Sequence, residues 1–184
     1  MNAQIQPDLG RRRALSEWLE SVGASLDLSE TRLEQARKSY EAVGAWLAGG
    51  THPWLADAVI TAHGSTALGT AITPLAGDEF DVDAMVHLPR AIGAVRPRHA
   101  KAVVGARLAE DARYRQMLEE KGRCWRLVYA REFHLDLTPS IGPASPPPPA
   151  VLVPDKALDC WLPSNPAGFR EWFNRRAALQ SAMA

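Results

Sequence analysis

Charge of one sign is what this chain lacks. Its 21 Lys and Arg residues are matched by 21 Asp and Glu, so the formal net charge is zero. A protein that coats nucleic acid with its general surface carries a large basic excess. The balance excludes that class and leaves room for a local nucleotide pocket. Cysteine is scarce as well: Cys124 and Cys160 are the only two. Two are too few for a disulfide framework or a cysteine zinc cluster, which suits a reducing, cytoplasmic compartment. No apolar run approaches the roughly 20 residues that span a bilayer. The opening stretch MNAQIQPDLGRRRAL has no apolar h-region, so no secretory signal is expected. The Arg11-Arg12-Arg13 cluster reads as the flank of a helix on a solvated face.

What is present is periodic hydrophobicity over 184 residues, enough for one domain with a real core. Leu15, Trp18, Leu19 and Val22 recur at helical spacing, with Gly23 as the expected stop. A second helix starts near Asp27 to Ser29, carries Leu33, Ala36, Tyr40, Val43 and Leu47 on one stripe, and ends at Gly49-Gly50. ADAVITAHGS reads as a short strand running into a glycine turn, and FDVDAMVHLP as a strand. A long helix is expected from about Arg98 to Glu120, followed by strands in CWRLVYA and EFHLDLTP. Four successive prolines then make a polyproline-like connection. The helix of SNPAGFREWFNRRAAL has Ser164 or Asn165 as its cap and Pro166 near its first turn. The expected layout is N-terminal helices over 10–50, a sheet region over 55–140, a proline-rich loop over 141–155 and the start of a helical lobe over 164–184. The class is α+β, a mixed sheet flanked by helices, in a single unit spanning 1–184.

The stretch HGSTALGTAITPLAGDEFDVDAM carries the chemistry. Strand alternation places Asp81 and Asp83 on one face, with Phe80, Val82, Ala84, Val86 and Leu88 on the other. Asp136 has the same setting in FHLDLTP, where Phe133, Leu135 and Leu137 face the core. Clustered carboxylates are costly unless a cation neutralises them. Three carboxylates on neighbouring strands suit magnesium or manganese, which prefer oxygen ligands, better than zinc. A solvated strand face is the plain alternative, and spacing leaves both open. Gly64-Ser65 stands where a strand gives way to a short helical stretch. Backbone amides and a hydroxyl there suit a phosphate, and ordinary turn chemistry suits them equally. Thr70 is read the same two ways. His63, His87 and His134 lack metal-ligand spacing and are read as structural. Lys156 is read as solvated, and Trp161, Trp172 and Phe173 as packing residues rather than base-stacking ones.

Together these residues resemble the polymerase-β-like nucleotidyltransferase superfamily, with its Gly-Ser, its Asp-x-Asp and a third Asp on a later strand. GSTALGT, GDEFDVD and SNPAGFREWF are similar to the bacterial cGAS/DncV-like nucleotidyltransferases, the CD-NTases of CBASS anti-phage operons. The resemblance implies that Asp81, Asp83 and Asp136 are catalytic and hold two Mg2+ ions, for which Mn2+ may substitute. It implies that Gly64 and Ser65 meet a nucleoside triphosphate. The activity implied is template-independent synthesis of a cyclic di- or oligonucleotide second messenger. An activating or regulatory protein from the same operon is the implied partner; no membrane is expected, and the sequence carries no strong signal for direct DNA or RNA binding. The family has a C-terminal helical lobe that is largely absent from this chain. Two rivals follow from the short length: a minimal transferase modifying a protein or RNA acceptor, and a non-catalytic core lobe.

Overall fold

The computed structural model describes residues 8–74, 78–91, 95–130, 132–142, 150–155, 157 and 159–178. Two helices open the chain, α1 (Leu9–Leu26) and α2 (Glu30–Ala48). The Asp8 carboxylate caps α1 by accepting from the amides of Gly10 and Arg11, and the Ser29 hydroxyl caps α2 by accepting from Arg32. α2 buries Ala36, Val43 and Leu47 of its expected stripe. α1 departs from expectation at its end. It runs through Gly23 as far as Leu26, and it buries no residue at all. A glycine within an exposed helix costs only about 1 kcal/mol, so it need not be a stop. The turn comes instead at Asp27, which is extended and bridges to Ile72.

Strand β1 (Val59–His63) leads into the five-residue helix α3 (Gly64–Leu68), and β2 (Phe80–His87) follows. The single long helix expected next is two helices and a strand: α4 (Pro97–Glu110), α5 (Ala112–Met117) and β3 (Leu118–Glu120). Asp111 causes the break. Its backbone is extended, and its carboxylate accepts from the Arg113 amide to start α5. Pairing with β4 (Trp125–Tyr129) then outweighs helical periodicity in Leu118–Glu120. β5 (Phe133–Ser140) completes a five-stranded sheet of order β1-β2-β5-β4-β3, in which only β2 and β5 run parallel.

Part of the expected proline-rich loop is also a strand. β6 (Val151–Asp155) pairs with β7 (Cys160–Ser164) as a separate two-stranded sheet. Val151 and Val153 bury against Met85, and that apolar contact holds β6 beside the main sheet. The four prolines and Lys156 lie outside the described residues. α6 (Pro166–Ala177) comes last, capped by the Asn165 side chain. It buries no residue, so Trp172 is exposed and Phe173 half-buried rather than packed. Trp161 does pack, donating its indole N–H to the Val95 carbonyl at 2.7 Å.

The core lies on one face of the sheet. Val82, Val86, Leu127, Leu135 and Leu137 meet Val43, Leu47, Val104 and Leu108 from the helices. At Gly105 of α4 an added Cβ would stand 2.2 Å from the Trp125 ring, so the glycine lets helix and strand touch. The Trp125 indole N–H donates to the Lys101 carbonyl at 2.8 Å and fixes the ring on that face. By alternation its neighbour Arg126 is turned to the opposite face.

Candidate active site

Four strands place one residue each in a continuous row across the open face. His63 on β1 stands opposite Asp83 on β2, Asp83 opposite Asp136 on β5, and Asp136 opposite Arg126 on β4. Asp81 and His134 are partners in the next row. The structure therefore brings together all three acids singled out in the sequence. Neighbouring strands lie about 4.8 Å apart, close enough for carboxylates on adjacent strands to share one cation.

A cation is present in the chain itself. Arg126 makes a bidentate pair with Asp136, Nε to Oδ1 at 2.6 Å and Nη2 to Oδ2 at 2.8 Å. The same Nη2 donates to Asp81 Oδ1 at 3.2 Å. These contacts hold the Arg126 guanidinium firmly protonated, the Asp136 hydrogen bonds first among the causes. His134 adds a second link, with Nε2 at 2.6 Å from Glu79 Oε2 and Nδ1 at 3.6 Å from Asp81 Oδ1.

Asp83 sits differently. Burial pushes its carboxyl above the usual carboxylate range, and the Asp136 and Asp81 charges push the same way, against His63 and Arg126. Burial likewise lowers His63 despite the pull of Asp83 and Asp136. Gly64, at φ +61°, presses against Asp83: a Cβ there would lie 2.2 Å from Oδ2. Ser65 is the next residue, half-buried at the start of α3, and its carbonyl accepts from the Thr70 amide at 2.9 Å. The expected phosphate-binding pair thus stands directly beside an expected catalytic acid.

A cavity of ≈ 550 Å³ continues from this point along the same face. Its lining includes Gly64, Leu68, Met85, Asn165, Phe169 and Arg170. His63 and His87 also line it, and each leaves a buried Nε2 without a hydrogen-bond partner. Burial lowers the His87 pKa, which favours the neutral ring. Pockets of this size and mixed lining are typical of small-molecule sites.

Residues 14–176 match the Second Messenger Oligonucleotide or Dinucleotide Synthetase domain, SMODS. The chain belongs to this family. The c-di-GMP synthase of Roseivirga ehrenbergii is 30% identical over 165 residues, covering 86% of this chain and 43% of the relative. The Bradyrhizobium diazoefficiens CD-NTase CdnG, solved in complex with GTP, superposes with a TM-score of 0.71 at 23% identity, over 83% of this chain and 44% of that one. The CdnC:HORMA-deltaN complex of Escherichia coli MS115-1 gives a TM-score of 0.59 at 15% identity, over 91% and 51%. At these identities the solved structures establish a shared fold, and the expected α+β nucleotidyltransferase core is the observed one. The SMODS chain described here spans under half the length of the first two of these relatives. Among the described residues no helix is long and apolar enough to cross a membrane.

The donor chemistry of the SMODS site suits a hard divalent ion: three carboxylates, in adjacent rows, beside a glycine whose missing Cβ leaves room at Asp83. Among the described residues no three His, Cys, Asp or Glu side chains already stand as a metal-holding group, and Arg126 is hydrogen-bonded to both Asp136 and Asp81. Sequence reading missed Arg126. Its signal was the pairing of β4 with β5: Tyr129 stands opposite Phe133 and, three steps back, Arg126 stands opposite Asp136.

Proposed function

We propose that this chain is the nucleotidyltransferase part of a template-independent synthase that joins nucleoside triphosphates into a cyclic di- or oligonucleotide second messenger, serving anti-phage defence. The observation that carries this reading is the row Asp83–Asp136, with Asp81 beside it, abutting Gly64-Ser65 in a SMODS fold. The names of the relatives point the same way, to cyclic dinucleotide synthesis and to GTP as a bound nucleotide.

Asp81, Asp83 and Asp136 would hold Mg2+, or Mn2+ in its place. Bound there, the metal supplies charge neutralisation for an ionising ribose hydroxyl and for departing pyrophosphate. The chain's own residues do the rest. Gly64 and Ser65 bind and orient the triphosphate beside Asp83. Asp136 lies nearest the attacking hydroxyl. The cavity takes the base, with neutral His63 and His87 offering hydrogen-bonding edges rather than charge. Positioning and preorganised charge account for most of the acceleration in such a site. A regulatory protein partner is in keeping with the HORMA-bound relative.

The test is incubation with all four labelled triphosphates and Mg2+ or Mn2+, then phosphatase, then chromatography. A phosphatase-resistant small product that disappears in Asp81→Asn/Asp83→Asn supports the reading. Label on a macromolecule would transfer the assignment to a protein- or RNA-modifying transferase. Failure to bind any triphosphate would leave a non-catalytic module.

A further inference from the structure

Arg126 bridges two of the three acids that would hold a divalent ion. Its guanidinium engages both oxygens of Asp136 and one of Asp81, so two of the three carboxylates already share a cation. Bidentate guanidinium–carboxylate pairs are among the stronger polar contacts in proteins. This one is also held in place. Trp125 and Leu127 on either side are fixed on the core face, and Arg126 and Asp136 are register partners. The Asp136 side chain is only 16% exposed, so it gains little from water if the pair opens. Asp83 takes no hydrogen bond from Arg126 and instead faces Gly64 and His63.

We propose that Arg126 is an internal counter-ion that competes with divalent cations for Asp136 and Asp81, so that loading the site requires its guanidinium to leave those carboxylates. This rests on the reading of the acids as a metal site. Charge compensation explains both states. Without an ion, Arg126 neutralises carboxylates that would otherwise repel one another. When an ion arrives with a triphosphate, the phosphate oxygens offer the guanidinium a new anionic partner. Metal and triphosphate should therefore bind cooperatively through Arg126, and coupling of this kind is reciprocal.

The experiment measures Mn2+ affinity calorimetrically, without turnover, for the 184-residue chain and for Arg126→Gln and Arg126→Lys. Each is titrated with and without a non-hydrolysable triphosphate. Without nucleotide, Arg126→Gln is expected to bind Mn2+ about tenfold or more tightly than wild type, since a hydrogen-bonded charge no longer has to be displaced. Arg126→Lys should fall between them, having charge but no fork. Adding the triphosphate should raise wild-type Mn2+ affinity more than that of Arg126→Gln. Equal or weaker Mn2+ binding by Arg126→Gln would overturn the competition. If that variant does not fold, Mn2+ binding by Arg126→Lys no tighter than wild type does so. Asp81→Asn/Asp83→Asn separates the two levels. If wild-type Mn2+ affinity is indifferent to it, the metal site itself is wrong and the competition falls with it. If that affinity drops while Arg126→Gln matches wild type, only the competition is wrong.

Discussion

Gly64 and Asp83 approach so closely that a single methyl group at Gly64 would fall 2.2 Å from Asp83 Oδ2. Gly64 also has φ +61°, in the left-handed region. Two demands therefore meet at one glycine: a turn from strand to helix, and a carboxylate against its α-carbon. The same contact joins the expected phosphate-binding loop to the expected catalytic acids.

Gly64→Ala should fail in two ways at once. The left-handed backbone costs roughly 1–2 kcal/mol for a residue with a Cβ, and Asp83 must move. Gly69→Ala is the control: φ is +67°, but nothing lies within 4 Å of the added atom. Both variants should melt lower than wild type. Only Gly64→Ala should also lose the thermal shift that a divalent ion and a triphosphate give. An equal ligand response in the two variants would show that the Gly64–Asp83 contact has no part in binding.

The acids and the serine predict a ligand-dependent pattern. Mg2+ or Mn2+ with a triphosphate should raise the wild-type melting temperature by mass action, and Asp81→Asn/Asp83→Asn should abolish the rise. Its ligand-free form should be no less stable, because burial and like charges already disfavour the ionised Asp83. Ser65→Ala should fold normally and weaken triphosphate binding by roughly 1.5–3 kcal/mol, the range for a hydrogen bond to a charged group. Unchanged affinity would reduce Gly64-Ser65 to a turn.

How much of this was legible in the sequence depends on the range of the interaction. The acidic face was readable because Asp81 and Asp83 share a strand of period two, and Asp136 repeats the pattern. Arg126 was not, because its meaning depends on the β4–β5 register that sets it opposite Asp136. β3 was hidden because Met117 and Leu118 continue a helical stripe, and only pairing with β4 makes Leu118–Glu120 a strand. β6 was hidden by the prolines before it, while the apolar contact with Met85 that stabilises it is remote in sequence. The stripe on α1 was read correctly as helical, and its exposure was not legible, since periodicity shows which residues share a face and not what covers it.

His87 predicts a pH effect on stability. Burial lowers its folded-state pKa below 6.5. The unfolded chain therefore binds more protons between the two values, and stability falls as pH drops through that window. His63 is lowered too and adds to the slope. His87→Gln should flatten, without eliminating, the decline in stability below about pH 6.5, as followed by urea denaturation at stepped pH. A slope identical to that of wild type would mean that the His87 ring is protonated as easily in the fold as out of it.

The exposed helices predict association. On α1, Leu15, Trp18 and Leu19 are 55%, 62% and 54% exposed; on α6, Phe169 and Trp172 stack at 5.5 Å and are 53% and 48% exposed. Exposed, contiguous apolar faces mark interaction sites. Neither helix buries a residue, so these side chains add little to the fold's own stability. The chain should self-associate with rising concentration. Trp18→Lys together with Trp172→Lys should restore a monomer by light scattering while changing unfolding stability by no more than about 0.5 kcal/mol per site, as for ordinary surface substitutions. A large loss of stability in that variant would place the two tryptophans in the core. A monomer at every concentration of the wild type would show that the two faces are too small or too far apart to bind a second copy.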